Sequence, residues 1–163
     1  MAPNIITEQE MFWSTFEPKM KNRWLMSLDG VPTYIIKKAA RPHLTQERKE
    51  IPHINLVRYV KGRSKWETID LTLYDPVAPS GEQAVMEWIR LHHESVTGRD
   101  GYMAFYKKDI VLDMLGPVGD VVSRWVLKGS FITDVNFGDI DYNTDDLAEI
   151  TLTISMDLAI NEF

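Results

Sequence analysis

The 163-residue chain has no cysteine, so it can build neither a disulfide nor a thiolate metal site. Long hydrophobic runs are also missing. Nothing approaches the roughly 18 consecutive apolar residues of a membrane helix. The opening "MAPNIITEQEMFWSTFEPK" mixes acids with its apolar residues and lacks the basic start and apolar core of a signal peptide. Excess positive charge is absent as well: the formal net charge is −6. That argues against a dedicated nucleic-acid binder, whose affinity comes from cations on phosphates. There is no Gly-x-Ser-x-Gly, no P-loop and no Gly-x-Gly-x-x-Gly. These absences lead us to expect a cytoplasmic, soluble single domain with no membrane anchor and no cofactor, and 44% hydrophobic residues suffice for its core.

What is present is alternation. From Ile150 to Ile160 every second residue is apolar, through Leu152, Ile154, Met156 and Leu158. Short residues stand between them. A period of two over that length predicts one strand of roughly 37 Å with a single buried face. "NRWLMSLDGVPTYIIKK" reads as two strands around Asp29-Gly30, a hairpin signal, with Pro32 tolerated near the start of the second. "INLVRYVKG" and "KWETIDLTLYD" add two more, with Ile69, Leu71 and Leu73 set against Trp66, Thr68, Asp70, Thr72 and Tyr74. "DIVLDMLG" and "DVVSRWVLKGSFITDVNF" follow later. One helix is expected in "PSGEQAVMEWIRLHHES". Ser80 and Gln83 have capping-box spacing, and Val85, Trp88, Ile89 and His92 recur at helical intervals. Gly98 closes it and "GRDG" reads as a loop. The sum is an α+β, mainly β domain: a β-sandwich or partial barrel of about seven or eight strands with one flanking α-helix.

Candidate chemistry is thin. "DIDYNTD" spaces Asp139, Asp141, Asn143 and Asp145 like calcium ligands, but Thr144 replaces the required Gly and Ile150 the required Glu, so it reads as a solvated acidic turn. His92 and His93 point about 100° apart on a helix and cannot share an ion unaided. One should join the apolar stripe and the other face solvent. Asp109 and Asp113 have no base beside them in sequence. Arg99, Lys107 and Lys108 near Tyr102, Phe105 and Tyr106 could stack on single-stranded nucleic acid, although a solvated loop with core aromatics is the stronger reading. We expect no catalytic, cofactor-binding or metal residue.

The order of segments is more telling than any one of them. A hairpin is followed by a long polar segment and by strands including Trp66 to Asp75. A helix centred on Trp88, then "YKKDIVL", then Trp125 to Phe137 with Gly129, and the strand Ile150 to Asp157 complete it. From about Asn22 to Phe163 this resembles the tail tube protein of contractile-tailed bacteriophages. The resemblance implies a structural virion protein, not an enzyme. Six copies would close a ring, and rings would stack into a hollow tube that conducts the tape-measure protein and then DNA, without specific DNA binding. The implied partners are further copies of itself, the tail sheath protein, the baseplate and the tail terminator. Its place is the virion tail, assembled in the host cytoplasm. Related ring-formers, a baseplate tube initiator or a secretion-system tube, are the alternative, and a monomeric binding or enzymatic β-domain is the third reading.

Within that frame, residues 1–21 are an N-terminal arm in which Met11, Phe12, Trp13 and Phe16 fit one turn of helix or a docked arm. Residues 22–163 form a single domain. The segment 39–52, with two prolines and few apolar residues, is expected to be a long mobile inter-subunit loop. Its contact candidates are Arg41, Leu44, Glu47, Arg48 and Lys49. A bore that passes DNA should repel phosphate, and Glu67, Asp70 and Asp157 are the candidate lumen acids.

Overall fold

A computed structural model describes residues 17–163. The expected turn at Met11, Phe12, Trp13 and Phe16 lies outside the described residues. In chain order the strands are β1 (Trp24–Ser27), β2 (Ile36–Ala39), β3 (Leu44–His53), β4 (Leu56–Trp66) and β5 (Ile69–Tyr74). Helix α1 (Gly81–His92) precedes the two-residue strands β6 (His93–Glu94) and β7 (Arg99–Asp100). Then come the single turn α2 (Met103–Tyr106), β8 (Lys108–Leu115), β9 (Val121–Asn136), β10 (Glu149–Ser155) and β11 (Leu158–Asn161).

Seven strands make one antiparallel sheet in the order β1-β8-β9-β10-β5-β2, with β11 also on β9. The 16-residue β9 holds this sheet together. Its first part pairs with β8 on one side and β11 on the other, and its last part with β10. The alternating residues read from sequence fill the inner face. Ile69, Leu71, Leu73, Ile110, Leu127, Ile150, Leu152 and Ile154 are all buried in one cluster with Met26 and Trp88. Burying one such side chain is worth roughly 1.5–3 kcal/mol.

Helix α1 forms as expected. Ser80 Oγ accepts from the Gln83 N–H at 3.3 Å, and Glu82 sits in the first turn where the helix dipole favours an anion. Val85 and Trp88 enter the core, and the Trp88 indole N–H donates to the Tyr106 carbonyl at 2.7 Å, tying α1 to α2. "GRDG" is not a plain loop. β6 and β7 pair in a small ribbon, His93 opposite Asp100.

Three expectations need correction. The Asp29-Gly30 turn exists and brings Leu28 and Val31 into a bridge, but its flanks do not pair as a hairpin. Pro32 opens a 3-10 turn at Thr33–Ile35, which redirects the chain. β1 then pairs with β8, and β2 crosses to β5.

The segment 39–52 is not an irregular loop. β3 and β4 form an antiparallel ribbon outside the main sheet, closed by the two-residue turn Ile54-Asn55. "INLVRYVKG" is a strand as expected, within β4, but its partner β3 has no buried face, so neither hydrophobic period nor composition announced it.

The terminal strand is broken at Asp157 and changes phase there. Ile150, Leu152, Ile154 and Met156 face inward, whereas beyond Asp157 it is Ala159 that is buried and Leu158 and Ile160 that face out. The partner strand explains the break. Gly129 of β9 has φ +65°, and a Cβ built there would stand 2.3 Å from Asp157 Oδ2. The Asp157 N–H donates to the Lys128 carbonyl at 3.1 Å, holding the kink closed.

Candidate assembly surfaces

Among the described residues three strands of the sheet have a neighbour on one side only: β1, β2 and β11. The open gap between β1 and β2 is floored by Trp24, Leu112 and Met114 and rimmed by Lys19, Lys21, Lys37, Lys38 and Arg41, enclosing about 530 Å³. An exposed edge of this kind is a template for another strand unless something covers it. The outer face of the β1-β8-β9-β11 part adds Leu25, Leu158 and Ile160, each more than a third exposed. Two ion pairs lie on that face. Arg124 grips Asp113 through two N–H donors at 2.7 and 3.0 Å, and Lys128 reaches Asp109 at 3.3 Å. The Asp113 hydrogen bonds and charge hold the Arg124 guanidinium above its usual pKa. Asp109 and Asp113 are therefore structural partners of cations.

The β3–β4 ribbon carries the sequence's contact candidates. Leu44 stands at its root opposite Trp66, and Lys49 faces Val60. Glu47 stands against two residues of β4, Gly62 and Arg63, at a bulge in that strand, and a Cβ on Gly62 would meet Glu47 Cβ at 3.0 Å. Arg48 stacks over the Tyr59 ring at 4.2 Å. Arg41 is separate from the ribbon, on the rim of the gap beside β2. In β3 and β4 together, Arg48, Lys49, Arg58, Lys61, Arg63 and Lys65 face two carboxylates, Glu47 and Glu50. The ribbon is cationic in a chain whose net charge is −6.

The candidate lumen acids do not form one cluster. Glu67 is half-buried and pairs with Lys65 at 3.3 Å. Asp70, on the outward face of β5, accepts from the Thr153 hydroxyl at 3.1 Å. Asp157 sits at the kink and pairs with Lys107 at 2.6 Å. Lys108 reaches Asp29 at 3.3 Å and lies over the Trp88 ring. With both lysines held by carboxylates, Arg99, Lys107 and Lys108 do not make a free basic patch. Tyr106 packs instead on His92, ring centroids 4.7 Å apart. His92 and His93 diverge as expected. His92 Nδ1 meets the Trp88 carbonyl, while His93 is exposed beside Asp100. Among the described residues no three His, Asp or Glu converge on a metal position.

The segment 138–149, which joins β9 to β10, escaped notice as a surface. It has Asp139, Asp141, Asp145, Asp146 and Glu149 and no Lys or Arg. Glu149 is bridged to Lys37, and that hydrogen bond raises the Lys37 pKa. Ile140 and Tyr142 are fully exposed and Leu147 largely so. An acid run reads as solvated turn in sequence; its exposed apolar residues were the available signal.

No protein-family model and no curated protein matches this chain. Solved structures do. The anti-feeding prophage cap, described as a tube-terminating cap, aligns with a TM-score of 0.75 at 16% identity over 93% of this chain and 95% of that one. The sheath-tube complex of an extracellular contractile injection system, PVC, gives 0.70 at 17% identity over 89% and 91%. Hcp1 from Flavobacterium johnsoniae gives 0.52 at 14% identity over 86% and 94%. The chain has the mainly β fold of the tube proteins of contractile injection systems.

Proposed function

We propose that the protein is a structural subunit of the inner tube of a contractile tail. Six copies close a ring, and rings stack into a hollow conduit for a tape-measure protein and DNA in a phage particle. The observation that carries this is the alignment over about nine-tenths of both chains with a chain of the PVC sheath-tube complex. The sheet supports it physically: edges at β1, β2 and β11 that have no second partner among the described residues, and an outward apolar strip at Leu25, Leu158 and Ile160, suit pairing with neighbouring copies. On this reading Arg41, Leu44, Glu47, Arg48 and Lys49 contact a neighbouring subunit, and Glu67, Asp70 and Asp157 are candidates for the bore. The subunit has no catalytic task. Its outer partners are the tail sheath protein, the baseplate and the tail terminator, and its site of action is the virion tail.

A cap or terminator is the second reading, favoured because two of the similar structures are described as a tube-terminating cap and a sheath/tube terminator. Sedimentation of purified protein at rising concentration separates them. A tube subunit passes from species six times the 18.8 kDa chain to open-ended polymers. A cap stops at the ring, and a chain that stays monomeric throughout contradicts both.

A further inference from the structure

The gap between β1 and β2 opens onto the core. Leu112 and Met114 on its floor are buried residues of β8, and Trp24 of β1 is half-buried beside them. A second opening of about 480 Å³ adjoins it, sharing Lys21, Trp24 and Lys37 and reaching Met26 and Ile36. An apolar floor under an open mouth is a place that further apolar side chains fill with a gain in free energy. The mouth itself is cationic. Among the described residues only Lys37 of its five cations has a carboxylate partner, Glu149. Cations gathered around one opening repel one another, and a carboxylate brought among them relieves that repulsion.

The chain supplies a segment of the complementary kind. The described residues begin at Glu17, and Lys19 and Lys21 already line the gap, so residues 1–16 join the domain at its mouth. That segment contains Glu8 and Glu10 and no Lys or Arg. Its large apolar residues gather next to the domain, at Met11, Phe12, Trp13 and Phe16. Reach is ample. The four residues of β1 span roughly 13 Å, whereas residues 8–16 when extended span about 30 Å. The other apolar strip, at Leu25, Leu158 and Ile160, is less suited, because Arg124 and Lys128 beside it are already held by Asp113 and Asp109.

We propose that residues 8–16 fold back over the gap of their own chain. Phe12, Trp13 and Phe16 cover the floor of Trp24, Leu112 and Met114, and Glu8 and Glu10 stand among Lys37, Lys38 and Arg41. The aromatic rings supply the buried area, and the carboxylates select this opening over neutral apolar surface. The docking is a property of the single chain and does not rest on the tube reading.

The test uses full-length protein too dilute to associate. The chain has no cysteine, so Ala39→Cys places a single thiol in the lining of the gap. Adding Glu8→Lys and Glu10→Lys should make that thiol react about tenfold faster with a maleimide, the far-UV circular dichroism staying unchanged. Lys38 and Arg41 are exposed, so Lys38→Glu with Arg41→Glu should fold. Combined with the reversed arm, they should restore slow reaction, because the charges match again. In the unsubstituted protein, zero-length carbodiimide coupling should join Glu8 or Glu10 to Lys37 or Lys38, identified by peptide mass spectrometry. In a mixture of heavy-nitrogen and ordinary chains, these pairs should stay within one isotope. A thiol that reacts equally fast in every variant overturns the docking, as does a rate that the reversed rim fails to restore. So do couplings that miss Lys37 and Lys38, such as couplings only to Lys49, Lys61 or Lys65 of the ribbon. Pairs that join unlike isotopes place the arm on a second copy and overturn it too.

Discussion

Ile154 has no exposed surface and lies between Ile69 of β5 and Ile132 of β9, its register partners on either side. Ile154→Asp would put an unpaired carboxylate there at a cost of several kcal/mol, against a typical total of about 5–15. The expected outcome is insoluble or unfolded protein, and a cooperative melt of a soluble variant would show the strand's faces reversed. Gly129 makes a second residue-level case. At φ +65° with Asp157 against it, Gly129→Ala should lose about 1–2 kcal/mol, read as a lower urea midpoint. His92 points the other way. Its buried Nε2 has no partner among the described residues, and its ring already stacks with Tyr106 and lies near Phe131. His92→Phe should keep the stacking and remove the unsatisfied nitrogen, so its melting temperature should equal or exceed that of wild type. A fall of several degrees would mean the imidazole makes a contact in solution that a phenyl ring cannot.

Elements with one buried face were legible before any coordinates. Ile69, Leu71 and Leu73 in β5, Ile150, Leu152 and Ile154 in β10, and the Ser80-capped helix all follow from periods of two and 3.6. In the β3–β4 ribbon "INLVRYVKG" of β4 was legible as a strand, but β3 was not, because a strand with no buried face leaves no period, and the ribbon's order comes from backbone hydrogen bonds. The phase change at Asp157 was hidden for a different reason. The alternation of apolar letters continues to Ile160, while the break is imposed by Gly129 on another strand. The candidate contacts on β3 were nameable from composition, but that the acidic segment 138–149 stands at the opposite end of the same strands required the topology. A ribbon with no buried surface should be the first part of a free protomer to open. Limited proteolysis should cut 44–66 in protomers and spare it in assemblies. Replacing 45–65 by a short Gly-Ser turn should leave the seven-stranded sheet folded and near its normal melting temperature but unable to stack. Tubes from that variant equal to wild type would show the ribbon to be dispensable.

At the scale of the whole molecule, three features are costly for a protomer that stays alone: the one-sided strands β1, β2 and β11, a cationic ribbon that the described residues leave uncovered, and outward Leu25, Leu158 and Ile160. On the proposed reading, assembly of identical copies would cover all three. The same arrangement sets a salt response. Charges exposed at a forming interface are screened as ionic strength rises, with a screening length of about 10 Å at 0.1 M and about 3 Å at 1 M. The concentration needed for assembly should therefore climb with sodium chloride, followed by light scattering. A threshold independent of salt would remove electrostatics from the account. The central claim, that this fold exists here to build a tube, is met most directly by electron microscopy of concentrated, purified, full-length protein at low salt. The account predicts sixfold rings and hollow, stacked tubes in the micrographs. Fields of isolated protomers at every concentration, with baseplate present as nucleus or absent, would contradict it.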